Sequence, residues 1–114
     1  MSELAKLRPS IRLAITNPDS KSNSVFGRGI ANLCRGVREK GSLNAAAKDM
    51  GMAYSKAWRI IKDTEEALGM QLLIREGAHG SQLTQNGSDL LDLYTAIEEK
   101  TTKETLELYQ EMAG

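Results

Sequence analysis

Hydrophobic positions repeat along the chain at two different periods. Ile11, Leu13 and Ile15 alternate with Arg12, Ala14 and Thr16, the period of a half-buried strand. Further on, apolar residues recur every three or four positions, which is the period of an amphipathic helix. These positions are Phe26, Ile30, Leu33 and Val37. The pattern predicts an N-terminal strand followed by a helix that stops at Gly41, since glycine favours helix ends.

Two further helices are predicted next, each followed by a glycine. Ser42 is a good N-cap for a short helix over 43–50, which Gly51 interrupts. A longer helix is predicted from about Tyr54 to Leu68, before Gly69. Its inward positions are Ala57, Ile60, Ile61, Thr64 and Leu68. Two short helices around a glycine turn are typical of a helix-turn-helix, here over about 43–68.

The C-terminal third predicts a small hairpin and one long helix. The hairpin covers about 72–83, with two glycines in its loop. Thr84 caps a helix of some 28 residues, about 42 Å long at 1.5 Å per residue. A helix of this length exceeds the core of so small a domain, so we expect it to pack against a second copy. The residues predicted for that contact are Leu90, Tyr94, Ile97, Thr101 and Leu108.

These elements predict a mainly α fold with a small β hairpin. Residues 1–83 would form the helix-turn-helix domain, and residues 84–114 the long linker and dimerisation helix. Composition narrows the alternatives further. A single cysteine and a single histidine exclude an intrachain disulfide and an intrachain histidine pair on a metal. We therefore expect no metal and no cofactor, and we interpret Cys34 as a small core residue.

The net charge of zero hides a division between two halves. Residues 1–62 hold twelve Lys and Arg against four acids, a net +8, whereas residues 63–114 hold three against eleven, a net −8. Such asymmetry favours a half that faces a polyanion joined to a half that faces solvent or protein. The N-terminus lacks the apolar core of a signal peptide, and no run is long enough to cross a membrane. We expect a cytoplasmic protein associated with the nucleoid.

Three short stretches carry a family resemblance: 41–47, 64–69 and 83–87. They resemble the N-terminal winged-helix domain of LysR-type regulators. Tyr54, Ala57 and Trp58 also resemble the Tyr-x-x-Ala-Trp opening of the recognition helix in molybdate-responsive regulators of the ModE type. The resemblance covers about residues 10–100. It implies a mainly α fold with a small β wing, a winged helix-turn-helix in which the hairpin over about 72–83 is the wing. It also implies a DNA-binding transcriptional regulator that acts as a homodimer, with the helix over about 54–68 in the major groove.

The chain also departs from these families. Both kinds of regulator carry an effector-binding domain after the linker helix, and the 114 residues hold none, so we expect no small-molecule ligand in this chain. LysR-type members often have a proline and serines where this chain has the run 53–58, which favours the ModE-like branch.

The candidate DNA-binding residues come from three places. The start of the recognition helix would meet base edges, its later residues and the start of the preceding helix would meet phosphates, and the wing would meet the flanking backbone or minor groove. The candidates are Ser42, Asn44, Tyr54, Ser55, Lys56, Arg59, Lys62, Arg75 and His79, with Ser81 also in the wing. Tyr54 and Trp58 could instead plug the domain, Ser42 could be a plain cap, and Arg12, Arg35 and Arg38 could face solvent.

Two other function classes stay in competition. A winged helix with an acidic long helix could be a protein–protein interaction module with weak or no DNA binding. An enzyme has less support, because there is no phosphate-cradling glycine loop and no nucleophile with a nearby base. The pairs Glu65–Glu66 and Glu98–Glu99 are adjacent in sequence, so on a helix their carboxylates point to different faces. We therefore expect a non-enzyme.

Overall fold

The computed structural model describes residues 3–77 and 80–114. Over these residues the chain is mostly helical, with one small antiparallel sheet, as predicted. A short 3-10 helix at Glu3–Lys6, which the sequence did not predict, comes first. The remaining elements are α1 Arg28–Lys40, α2 Leu43–Asp49, α3 Tyr54–Leu68, β1 Leu73–Glu76, β2 Gly80–Leu83 and α4 Gln85–Ala113.

Helix α1 is the centre of the domain. Its apolar stripe is buried as predicted, together with Phe26 just before it. The helix ends at Gly41, which adopts a left-handed conformation (φ 69°) and donates its N–H to the Val37 carbonyl. Burial raises the pKa of the Cys34 thiol to about 12, and the nearby Glu65 carboxylate adds to the shift. Cys34 is therefore a neutral core residue, as the sequence predicted.

Close approach between α1 and α2 depends on small residues. A Cβ at Gly36 would lie 2.5 Å from the Cβ of Ala46, so only glycine fits there without movement. Ala47 is fully buried as well. Ser42 caps α2, because its hydroxyl oxygen accepts a hydrogen bond from the Ala45 N–H at 3.1 Å. The tight crossing fixes α2, and with it the start of α3.

Backbone hydrogen bonds attach the wing to the elements on either side of it. Strands β1 and β2 pair antiparallel, with Arg75 opposite Ser81. The Ser81 N–H donates to the Gly41 carbonyl at 2.9 Å, which joins β2 to the end of α1. The Thr84 N–H donates to the Leu72 carbonyl, also at 2.9 Å. The hairpin therefore has a fixed position relative to the core.

The predicted N-terminal strand is wrong as a strand. Ile11, Leu13 and Ile15 are half-buried and alternate with exposed residues, as the period indicated. However, only Ile15 pairs, through two 2.9 Å backbone hydrogen bonds with Phe26. A ladder needs a partner strand in register, and the residues before Phe26 form a polar loop instead. The alternation thus indicated correctly which side chains face the core, but it did not show whether the segment pairs with a strand.

Helix α4 begins at Thr84, whose hydroxyl accepts from the Gly87 N–H at 2.9 Å, and continues for 29 residues. Its residues that are buried in the protomer are Gly87, Leu91 and Tyr94. The prediction that Tyr94 contacts a second copy is wrong. Its ring packs edge-on against Phe26 with centroids 5.5 Å apart, and its side chain is 1% exposed.

The molecule is elongated, with a longest dimension of 58 Å, because the end of α4 extends past the domain. In the described part of the chain, no helix is both long and apolar enough to cross a membrane. Among the same residues there is no group of three or more side chains suited to hold a metal ion.

Candidate nucleic-acid interface

Helix α3 has two faces of opposite character. One face packs into the core through residues that include Ala57, Ile61 and Thr64. The other face is exposed, and the structure brings five predicted site residues together on it. They are Tyr54, Ser55, Lys56, Arg59 and Lys62.

The cations on this face are differently placed. Lys56 and Arg59 form no ion pair with any residue that the structure describes. Lys62 has its ammonium 3.4 Å from Oε1 of Glu65. An exposed face with unneutralised cations attracts a polyanion, and it presents donors that suit guanine edges and phosphate oxygens.

The start of α2 holds the predicted pair Ser42 and Asn44. Ser42 is half-buried and Asn44 is exposed. The oxygen of Ser42 already accepts the Ala45 N–H, as expected for a plain cap, while its O–H is a donor that could bind a phosphate. The two interpretations of Ser42 are thus compatible.

In the wing, the three predicted residues have different outcomes. Arg75 is exposed on β1. His79 lies outside the described residues. The prediction that Ser81 reaches DNA is wrong, because it is buried and its N–H is bound to Gly41.

Glu65 is a buried carboxylate whose contacts the sequence did not predict. Its Oε2 accepts the N–H groups of Leu72 and Leu73 at 2.7 and 3.1 Å. It therefore joins α3 to the first residues of the wing. Its position four residues after Ile61 and three before Leu68 puts it on the buried face, which is the signal that could have revealed it. Glu66, on the other side, is exposed, as expected for adjacent residues.

Trp58 lies where α3 meets β1. Its ring is half-buried against the core, as one sequence interpretation expected. Tyr54 packs edge-on against it, with centroids 6.3 Å apart. The Lys62 ammonium and the Arg75 guanidinium each lie 5.2 Å from the ring centroid. These two cation–π contacts link the recognition helix and the wing, and no local pattern of residues predicts them.

Arg35 and Arg38 bind α4 rather than only facing solvent. Arg35 donates to Thr95 Oγ1 at 2.9 Å, and Arg38 donates to Asp92 Oδ1 at 2.9 Å and to Ser88 Oγ at 2.8 Å. Part of the charge asymmetry is thus satisfied within the protomer, where basic α1 meets acidic α4.

The residues predicted for dimerisation do not form one surface. Leu90 is half-buried against the core, and Thr101 bonds the Ile97 carbonyl at 2.6 Å. Ile97 and Leu108 are exposed, together with Leu93, which the prediction missed. We call the exposed apolar positions of α4 its outer stripe. They are Leu93 (57% exposed), Ile97 (40%), Leu108 (56%) and Met112 (79%).

Comparison with known proteins agrees with this geometry. The model of the bacterial regulatory helix-turn-helix protein family, lysR family, matches residues 32–88, which is half of the chain. The chain belongs to the LysR family of bacterial regulatory helix-turn-helix proteins. Membership of a regulatory family fits the expectation of a non-enzyme. No curated protein sequence matches the chain significantly.

Solved structures of similar fold are complexes with DNA. The CbnR_DBD–DNA complex matches with a TM-score of 0.55 and 28% identity, over 65% of this chain and 84% of that one. The BenM_DBD/benA site 1 DNA complex matches with a TM-score of 0.55 and 25% identity, over 74% and 92%. The BenM_DBD/catB site 1 DNA complex gives the same score and identity, over 74% and 91%. The family and fold of this chain are therefore those of a winged helix-turn-helix regulator.

Proposed function

We propose that this protein is a sequence-specific, DNA-binding transcription regulator that acts as a homodimer. The observation that carries the proposal is the exposed basic face of α3 in a LysR-family helix-turn-helix. The similar structures of CbnR_DBD and BenM_DBD, both solved with DNA, support it. In this proposal α3 enters the major groove and the wing follows the flanking backbone.

Within the interface the residues have different roles. Arg59 would bind guanine O6 and N7, while Ser55, Lys56 and Tyr54 would meet neighbouring bases or phosphates. Lys62 and Arg75 would contact phosphates beside the groove, because they flank that face. Ser42 and Asn44 would contact the backbone at the start of α2, and His79 would do so from the wing.

The outer stripe of α4 supports the proposed homodimer. Leucine, isoleucine and methionine side chains at these positions are exposed in the protomer, and a second copy would remove them from water. In this division, residues 1–83 bind DNA and residues 84–114 hold two copies together. Two recognition helices would then read half-sites about 34 Å apart or a multiple of that distance.

Two finer features belong to the same proposal. The residues Tyr54, Ala57 and Trp58 favour a ModE-like branch of the family. A regulator of this kind would be nucleoid-associated in the cytoplasm, with double-stranded DNA as its partner and no small-molecule ligand bound by these 114 residues.

Selection of binding sites from random duplex DNA tests the proposal. We expect an inverted repeat to be enriched, with an affinity that falls steeply between two salt concentrations, since phosphate contacts release counterions. If no sequence is enriched although the chain is dimeric in solution, the regulator proposal fails. The outer stripe would then favour the second candidate, a protein–protein interaction module.

Variants assign the result to the two regions. Lys56→Ala with Arg59→Ala should weaken binding by about thirtyfold or more, at roughly 1–3 kcal/mol for each specific contact, and should leave dimerisation intact. Ile97→Glu should shift the protein to monomer in analytical ultracentrifugation without unfolding it. Lys100→Ala, which removes a charge from the exposed ion pair with Glu104, is the matched control and should change neither result.

A further inference from the structure

We propose that Trp58 is a positioning residue that holds Lys62 and Arg75 ready for one DNA backbone phosphate at the junction of recognition helix and wing. The inference rests on the proposed function, because the phosphate belongs to the bound duplex. It adds a residue that does not itself need to touch DNA but sets where two DNA-binding cations lie.

The two cations converge from different elements. Lys62 comes from α3 and Arg75 from β1, and each charged group is 5.2 Å from the centre of the Trp58 ring. This distance is within the range of a cation–π contact, which suits tryptophan best among the aromatic residues. One ring therefore contacts both a recognition-helix cation and a wing cation.

Positive charge at this junction is only partly neutralised. The carboxylate that pairs with Lys62 is Glu65, and its other oxygen already accepts two backbone N–H groups. Arg75 forms no ion pair with any residue among 3–77 and 80–114. Both cations line the same cavity, so one anion bound there would be attracted by both.

The local surface is open to such an anion. A shallow cavity separates the end of α3 from β1, and both cations line it. Its lining residues are Trp58, Lys62, Gln71, Leu73, Ile74 and Arg75. Because Lys62 follows Arg59 on the exposed face of α3, a phosphate bound here would flank the bases that the helix reads.

The indole N–H of Trp58 indicates why tryptophan rather than phenylalanine occupies this position. The Trp58 Nε1–H is buried, and no acceptor binds it in the part of the chain that the structure describes. A buried N–H without a partner is unfavourable, and phenylalanine would fill the place without that group. Phenylalanine, however, attracts a cation less strongly. Tryptophan at this position therefore improves the contacts with the two cations, although it leaves a buried N–H without an acceptor.

A double-mutant cycle tests the role of Trp58 with the full chain and its selected DNA site. The variants are Trp58→Leu, Trp58→Phe, the pair Lys62→Ala/Arg75→Ala, and that pair combined with Trp58→Leu. Trp58→Leu should weaken binding about three- to tenfold per protomer, since two long side chains must then be ordered on binding. Trp58→Phe should restore only part of the affinity, because a phenyl ring attracts the two cations less strongly than an indole.

The decisive result is whether the effect of Trp58→Leu on DNA affinity depends on the presence of Lys62 and Arg75. When Lys62 and Arg75 are already alanine, Trp58→Leu should have no further effect on affinity. Loss of the two cations should also lower the slope of affinity against salt by about two per protomer. Trp58 is the sole tryptophan of the chain, so its fluorescence should change when the two cations are removed and again when DNA binds.

Two outcomes overturn the inference, and they differ from failure of the proposed function. If Trp58→Leu weakens binding equally with and without the cations, Trp58 is only a packing residue. If it leaves affinity unchanged while the wild-type chain binds DNA, the cations need no positioning. Failure of the wild-type chain to bind any selected duplex would instead remove the proposed function itself. Urea unfolding of each variant shows whether the compared proteins are folded.

Discussion

Helices α3 and α4 use their surfaces in contrasting ways. Helix α3 buries six of its 15 residues and turns a polar, basic face outward. Helix α4 buries three of its 29 residues, all within its first ten, and turns the apolar outer stripe outward. The packing of α3 is complete within one protomer, whereas α4 is longer than the domain that supports it.

The attachments of α4 show how the protomer supports this helix. Near the start of α4, two arginines of α1 bind its side chains: Arg35 binds Thr95, and Arg38 binds Ser88 and Asp92. Near its end, the Tyr109 hydroxyl donates to the Leu4 carbonyl at 2.7 Å, which ties the N-terminal 3-10 helix to α4. The apolar outer stripe is exposed from Leu93 to Met112, so it is the region available to another copy.

Two adjacent residues of α4, one buried and one exposed, should differ most in their effect on stability. Tyr94→Ala should lower the free energy of unfolding by about 3–5 kcal/mol, because it removes a buried aromatic ring that packs on Phe26. Leu93→Ala should change protomer unfolding by less than about 0.5 kcal/mol, because Leu93 is exposed. Urea unfolding at a protein concentration low enough to keep the chain monomeric measures both.

Leu93 and Tyr94 should also differ in their effect on dimer formation. Leu93→Ala should raise the concentration at which the dimer dissociates, whereas the conservative variant Tyr94→Phe should leave it unchanged. Comparable losses of protomer stability in Leu93→Ala and Tyr94→Ala would show that the two sides of α4 are not distinct.

Tyr94 also shows what the sequence could and could not predict. The heptad spacing correctly predicted a long helix with apolar positions, yet it could not tell whether Tyr94 packs on its own domain or on another copy. Both choices bury the same ring at the same period. Phe26, some 70 positions earlier, decides the matter, and no local pattern contains that contact.

For α3 the sequence predicted more, because its function and its packing lie on opposite faces of one short segment. Its bounds and its exposed basic residues were both as predicted, and the helix-turn-helix followed from Gly41, Gly51 and Gly69. The contacts of Glu65 with the wing and of Trp58 with Arg75 were missed, since they depend on where the hairpin folds back. Likewise, only pairing could show that 11–15 is not a strand.

A second, intermediate effect concerns how α3 holds the wing. Glu65→Gln should lower the free energy of unfolding by about 1–3 kcal/mol, because the N–H groups of Leu72 and Leu73 lose a charged acceptor. Glu66→Gln, on the exposed side, is the matched control and should have little effect. Hydrogen exchange of the Leu72 and Leu73 amides should accelerate in the first variant only. Equal exchange in both variants would mean that the wing is held without Glu65.

The last effect concerns α1, against which α4 packs, and is confined to alkaline pH. Burial raises the pKa of Cys34 to about 12 from an ordinary value of 9.0, so the folded chain holds this proton more tightly than the unfolded chain. Its contribution to stability is complete below pH 9 and is lost as the pH rises toward 12, by about 1.4 kcal/mol per pH unit.

Tyr94, whose pKa is also raised by burial and by its hydrogen bond to Glu98, contributes in the same direction at higher pH. Comparison with Cys34→Ala separates the two, since Tyr94 is present in both proteins. Between pH 9 and 10.5 the wild-type chain should lose stability faster than Cys34→Ala, and parallel curves would show that the thiol ionises as readily in the folded chain as in the unfolded one.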